Sequence, residues 1–214
     1  MENEIVKQEN AVAVYDDSVF NSIAGSTGFK RIQLYGASSN LVKSGKFPMG
    51  HFALVDGQDT LDLGQSFDCL VIAWRPKAIR TGDNMEIIHD PKSEAFAKIQ
   101  AEAGVQDSGC MCGVEFLLWL PDHGFVPYYL NNKSALYEAK PLRALIGKSA
   151  TIKVIFIEGK KYSWHAPKVT TCSVPLDEDL PSKETIEAEI ATFQKPDDKM
   201  SEMAAEAEKN DRAR

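Results

Sequence analysis

Ala150-Thr151-Ile152-Lys153-Val154-Ile155-Phe156-Ile157-Glu158-Gly159-Lys160-Lys161-Tyr162-Ser163-Trp164-His165-Ala166-Pro167-Lys168-Val169-Thr170-Thr171-Cys172 is the stretch that decides the fold class. Two runs rich in β-branched and aromatic residues flank Glu158-Gly159-Lys160, which is the pattern of a β-hairpin. Gly159 is expected to supply the positive φ of a tight turn. Outward from this hairpin, similar runs bounded by Gly, Pro, Asn or Asp recur at 31–35, 50–55, 67–74, 113–120 and 125–130. With the hairpin strands at 150–158 and 161–172 they give seven expected strands. Two helical segments interrupt them. Residues 91–102 carry Phe96 and Ile99 at helical spacing, followed by Ala103 and by Gly104 as a stop. Residues 134–146 carry Leu136, Ala139, Leu142 and Leu145, with Pro141 limiting the segment to two short turns or a kinked helix.

Strands that do not alternate regularly with helices argue against a doubly wound parallel sheet. The expected fold is mainly β with short helices (α+β), as a closed or nearly closed Greek-key OB-like barrel. Its core spans residues 29–172. An acidic N-terminal arm at 1–28, with a brief strand at 12–15, and an acidic C-terminal helix and tail at 173–214 flank it, and both ends are expected to be mobile. In the C-terminal part a helix is expected from Ser182, as cap, to Gln194, before Pro196.

Composition narrows the function classes. The chain has 214 residues, of which 43% are hydrophobic and 26% charged, the balance of a soluble globular protein. No stretch approaches the roughly 18 consecutive apolar residues of a membrane span, and the acidic start Met1-Glu2-Asn3-Glu4 does not resemble a secretory signal. Four cysteines do not make a disulfide framework. Cys69 reads as a small buried hydrophobe, and the single-residue spacing of Cys110-Met111-Cys112 is tighter than a zinc knuckle. A reduced, cytoplasmic setting without a structural metal or cofactor is expected.

The net charge of −7 hides an uneven spread. Residues 1–28 sum to −4, residues 29–172 to +3 and residues 173–214 to −6. A mildly basic core between acidic ends can attract phosphate, because binding responds to the local field. Catalysis has no comparable signal. Gly147-Lys148-Ser149 lacks the earlier glycine of a P-loop, since Leu142 stands there; Gly147 reads instead as a left-handed helix stop. The four histidines share no metal-ligand spacing. Asp56, Asp59 and Asp62 are close in sequence but lie in a Gly-containing stretch that reads as a solvated loop.

The positive signal is aromatic and basic residues interleaved on strands. Arg75, Lys77 and Arg80 follow Trp74; Tyr128-Tyr129 leads to Lys133; Lys153, Lys160, Lys161, Tyr162, Trp164 and Lys168 cluster in the hairpin. Single-strand binding uses flat rings to stack bases beside cations that meet phosphates. Residues two apart share a strand face, so Tyr162 and Trp164 point together. Two placements are open for them, a binding face or the core. One ring of Tyr128-Tyr129 is expected to be exposed.

Through Gly28-Phe29-Lys30-Arg31-Ile32-Gln33-Leu34-Tyr35, Ile72-Ala73-Trp74-Arg75-Pro76 and Lys160-Lys161-Tyr162-Ser163-Trp164-His165-Ala166-Pro167, the chain resembles the OB-fold single-stranded DNA-binding proteins of bacteriophages. The resemblance implies sequence-tolerant binding of displaced single strands in DNA replication and recombination, in the host cytoplasm. It also implies an acidic C-terminal tail that recruits replication or recombination proteins. The last residues, Asp211-Arg212-Ala213-Arg214, depart from the acidic tip of that family. The competing expectations are a phage structural or assembly protein with a β-sandwich core and, further off, a nuclease with dispersed metal ligands.

Overall fold

The computed structural model of the chain describes residues 30–57, 59–82, 85–105, 107–172 and 180–195. The expectations for the N-terminal arm at 1–28 and for the polar tail at 197–214 lie outside the described residues. Nine strands form one sheet: β1 (Arg31–Tyr35), β2 (His51–Asp56), β3 (Asp59–Gly64), β4 (Ser66–Arg80), β5 (Glu86–Ile88), β6 (Cys110–Leu120), β7 (Gly124–Leu130), β8 (Ser149–Glu158) and β9 (Ser163–Thr171). Four helices accompany them among the described residues: α1 (Asn40–Lys43), α2 (Glu94–Glu102), α3 (Lys133–Ala144) and α4 (Lys183–Gln194). None of these helices is long and apolar enough to cross a membrane.

The hydrogen-bonded order is β3-β2-β1-β7-β6-β4-β8-β9, with β5 added to β4. Neighbouring strands run antiparallel except β1 and β7, which meet in parallel at the single register pair Ile32↔Tyr128. The sheet is therefore mixed and open. The barrel expected from strand density is not closed, because no ladder joins β3 to β9. Side chains bring the two arms together instead: a Cβ on Gly50, which precedes β2, would stand 2.7 Å from the His165 ring on β9. Inside this curl Phe52, Phe67, Phe116, Leu118, Tyr128 and Ile152 form the main core.

β4 is the longest strand at 15 residues. Its first residues pair with β8, its last with β5, and β6 follows its opposite edge from Leu70 to Arg80. A bulge interrupts the β6 ladder, where Val71↔Leu118 is followed by Ala73↔Leu117 and Ile72 is left over. Strand parity changes at that point. Phe67, Cys69 and Val71 enter the main core, and beyond the bulge it is Trp74 that packs against it. Ile72 and Ala73 both turn to the outer face, where they meet Leu117 and Trp119.

Helix α4 covers that outer cluster. Ser182 caps it, accepting from the Thr185 N–H at 3.2 Å. Ile186, Ile190 and Phe193 recur at helical spacing and pack against Ile72, Ala73, Leu117 and Trp119. The helix lies where the sequence places it, yet it belongs to the folded body and not to a mobile flank. α3 is likewise continuous through Pro141, with Asn132 accepting from the Ala135 N–H at its start (2.9 Å).

Two strands escape the sequence pattern. β3 occupies the stretch expected as a solvated loop. It is an edge strand with mostly exposed residues, and its Asp62 carboxylate meets His51 Nδ1 at 3.0 Å. β5 has three residues, too few to show a period. The hairpin loop also differs in cause. Gly159 does not have a positive φ; a Cβ there would stand 2.4 Å from the Tyr162 carbonyl oxygen and 2.7 Å from the Trp164 ring. Close approach, and not chirality, demands this glycine.

Gly113 shows the same constraint between strands, since a Cβ would lie 2.1 Å from the Leu130 carbonyl oxygen and 2.9 Å from the Asn131 Cα. Both neighbours are backbone and cannot rotate away. Gly113→Ala is expected to destabilise the protein by about 3 kcal/mol, the upper part of the overpacking range. The midpoint of urea unfolding measures it, and an unchanged midpoint would show that β6 and β7 can separate at this point.

Candidate nucleic-acid interface

The residues singled out in the sequence divide into two groups. The first lies on β4 and β7 and is engaged within the protein. Glu115, 3% exposed, stands opposite Arg75 in the β4–β6 register. Its two oxygens accept separate hydrogen bonds, from Arg75 Nε at 2.8 Å and from Lys77 Nζ at 2.5 Å. Arg75 also donates through Nη1 to the Phe193 and Lys195 carbonyls, and its guanidinium carbon lies 4.4 Å from the Phe193 ring centroid. The guanidinium thus sits at the C-terminal end of α4, where exposed carbonyls and the helix dipole favour a cation. Lys77 stands 5.5 Å from the Tyr129 ring centroid, and the Tyr129 hydroxyl donates to the Lys77 carbonyl at 3.1 Å. Arg80 is held between Glu86 (3.6 Å) and Glu102 (3.2 Å).

Tyr128 is buried, 3% exposed, with its ring edge-on to Phe52 and Phe67. It offers no face to a base. Tyr129 is partly buried by its bond to Lys77, so the pair does not supply the exposed ring expected of it.

The second group is the β8–β9 hairpin. Cross-strand partners share a face, and Ile157↔Trp164, Ile155↔Ala166, Lys153↔Lys168 and Thr151↔Thr170 lie opposite the core side, which takes Ala150, Ile152 and Val169. Tyr162 lies in the connecting loop, just before β9, and not on the strand itself. Its ring centroid is 5.7 Å from that of Trp164 at an interplanar angle of 52°. Tyr162 is 74% exposed, whereas Trp164 is half-buried over Gly159 and donates its indole N–H to Ser134 Oγ at 2.9 Å. Lys133, the first residue of α3, is next to that serine and is exposed. On the core-side face of the hairpin tip, Phe156, 56% exposed, leans on His165 at 5.3 Å. The tip thus carries rings on both faces.

Lys153, Lys160 and Lys161 are exposed, with no ion pair among the described residues. Lys168 bonds Glu138 at 3.0 Å. Glu138 is the residue that sequence reasoning missed. It is buried on α3 between Ala135 and Leu142, and its second oxygen accepts from the Val169 N–H at 2.9 Å. One carboxylate therefore covers the outer edge of the last strand and offsets the like charges of Lys153 and Lys168. The available signal was a glutamate at the centre of an apolar helical stripe.

Cys110 and Cys112 face α2 from β6, and Cys110 Sγ donates to Glu102 at 3.3 Å. Burial pushes the Cys69 and Cys112 thiols up, away from the thiolate that a nucleophile needs. Among the described residues, no group of three or more His, Cys, Asp or Glu is placed to hold a metal ion.

Burial would raise the Glu115 carboxyl, but the charges of Lys77 and Arg75 and their hydrogen bonds outweigh it and hold it below the usual carboxylate range. Its folded-state value is thus depressed, so its contribution to stability is present above the ordinary value of 4.5 and is lost as pH falls through the folded value. Glu115→Ala takes the shared carboxylate from Arg75 and Lys77, whose side chains are 13% and 15% exposed, and is expected to cost about 3 kcal/mol at neutral pH, the lower end for breaking a buried pair. Glu115→Gln is expected to remove part of the acid-side slope of unfolding free energy against pH. Denaturant titrations from neutral pH to below 4 check both, and a parent-like slope in Glu115→Gln refutes the assignment.

Comparison of the chain with protein-family models, curated proteins and solved structures returned no match.

Proposed function

We propose that the protein binds single-stranded DNA with little sequence preference along the β8–β9 hairpin, in support of DNA replication or recombination. On this reading the curled sheet serves as an OB-type platform, acting in the host cytoplasm. The observation that carries it is the Tyr162–Trp164 ring pair on an exposed hairpin beside lysines that make no ion pair among the described residues. A packed core has no use for a tyrosine three-quarters exposed, while base stacking needs such a ring. Each stacked base contributes roughly 1–3 kcal/mol whatever its identity.

The supply of cations agrees with this division of labour. Arg75, Lys77 and Arg80 are neutralised by Glu115, Glu86 and Glu102. Lys153, Lys160, Lys161 and Lys133 remain for phosphates: Lys160 and Lys161 precede Tyr162 in the loop, Lys133 is next to the serine that holds the Trp164 indole, and Lys153 lies on the Trp164 face of β8. Lys168 shares its charge with Glu138. Catalysis is not part of the proposal. The acidic tail as a recruiter of other replication proteins stays a proposal that rests on the family resemblance.

The two residue types leave different marks. Tyr162→Ala is expected to keep parent-like stability, as an exposed loop substitution does, and to lose about 1–3 kcal/mol of affinity for oligo(dT) with the salt dependence unchanged. Lys161→Ala is expected to lower the slope of log K against log salt by about 0.7, one phosphate contact on a single strand. Anisotropy titrations over a salt series measure both. A stable Tyr162→Ala protein that binds as the parent does overturns the reading.

A further inference from the structure

Beside the hairpin lies a cleft of about 1210 Å³, walled by α2 and α3 and floored by β1, β6 and the end of β7. It exceeds the roughly 300–1,000 Å³ of a small-molecule pocket and suits a segment of polymer. Its lining includes the exposed cation Lys133 and the carboxamides Gln33, Gln100 and Asn131, and it contains no carboxylate among the described residues. In a chain with 31 acidic residues and a net charge of −7, a described lining that holds Lys133 and no acid departs from the chain's average character. It favours an anion.

The carboxamides narrow the class of anion. An amide donates and accepts at once, and so matches the paired donor and acceptor on a base edge, which a lysine cannot do. Asn131 is held in place by Nδ2 at 3.2 Å from the Met111 sulfur. Tyr137, 70% exposed on α3, adds a ring to the wall. The cleft is also continuous with the hairpin. Lys133 and Pro167 of β9 both line it, and Ser134, adjacent to Lys133, holds the Trp164 indole. A strand stacked on Tyr162 and Trp164 reaches the cleft over the first turn of α3.

We infer that this cleft is a nucleotide subsite that reads base identity, complementing a hairpin that does not. The inference rests on the single-strand reading above and confines the lack of sequence preference to the hairpin, so that the whole protein is selective among homopolymers. Anisotropy titrations of the full chain with dT, dA and dC homopolymers of one length, at one salt concentration, test it. The variants are Gln100→Ala/Tyr137→Ala, both positions being exposed on helices, and Tyr162→Ala. The parent is expected to rank the homopolymers over at least about tenfold, within what one bidentate base contact supplies. The double variant is expected to compress that spread to about twofold, and Tyr162→Ala to weaken all three by a common factor and keep the order. A parent without ranking, or a double variant that retains it, overturns the subsite; if Tyr162→Ala still weakens binding, the hairpin reading survives that result. A parent that binds no oligonucleotide at low salt overturns both. Displacement of the oligonucleotide by an acidic peptide from the parent, but not from the double variant, overturns the subsite in favour of a protein ligand.

Discussion

One extra residue in β4 governs the arrangement of the rest. Without Ile72 as a bulge, the parity that sends Phe67, Cys69 and Val71 into the core would carry on to Ala73, Arg75 and Lys77, and would drive two cations into an apolar interior. With it, Trp74 takes the inward position, and the cations turn to the face where Glu115 stands. The pairing with β8 ends at Leu70↔Ser149, just before the bulge. The backbone groups of Val71 are then satisfied by the loop after α3, with its N–H donating to the Lys148 carbonyl (3.1 Å) and its carbonyl accepting from the Gly147 N–H (2.8 Å). Gly147 takes a φ of 76° there, as the left-handed stop of a helix does.

Two buried carboxylates then attach helices to the sheet. Glu115 gathers Arg75 and Lys77, and Arg75 grips the end of α4; Glu138 gathers Lys168 and the free edge of β9, and so seats α3. Each anion is buried with its oxygens hydrogen-bonded, the condition under which a buried charge is tolerated. These pairs set specificity of docking more than they add stability, because desolvation offsets much of their attraction. They also sort the cations. Lysines near the two carboxylates are internal ties, while Lys153, Lys160 and Lys161 on the hairpin and Lys133 at the start of α3 stay in solvent, as do lysines elsewhere such as Lys43, Lys46 and Lys98.

That sorting is what the proposed function draws on. A protein of net charge −7 repels nucleic acid on average, so any attraction has to be local and short in range, within about 10 Å at ordinary salt. The hairpin tip, where Lys160 and Lys161 outnumber Glu158, and the cleft, whose described lining holds no carboxylate, are surfaces of that kind. The open sheet matters here as well. A barrel closed by hydrogen bonds would fix the β9 arm against β2, whereas contact through Gly50 and His165 leaves the hairpin projecting beyond the core with rings on both faces.

The sequence by itself determined the mainly β character, because β-branched and aromatic runs between turn residues act over five or ten residues and need no distant partner. It also determined the hairpin, the capped start of α4 and the stop at Gly147, all of which are local backbone chemistry. Only the tertiary structure decided which face each residue of the apolar run Leu70–Trp74 takes, since an unbroken apolar run carries no parity and a bulge leaves no mark in it. The same holds for the weak edge strand β3, which forms because β2 offers it a ladder. The candidate site divides along this line. Tyr162, Trp164, Lys160 and Lys161 were legible as a group because they are adjacent in sequence; the loss of Arg75, Lys77 and Tyr128 to internal contacts was not. Their partners Glu115, Phe193, Phe52 and Phe67 come from remote segments, and only folding makes them neighbours.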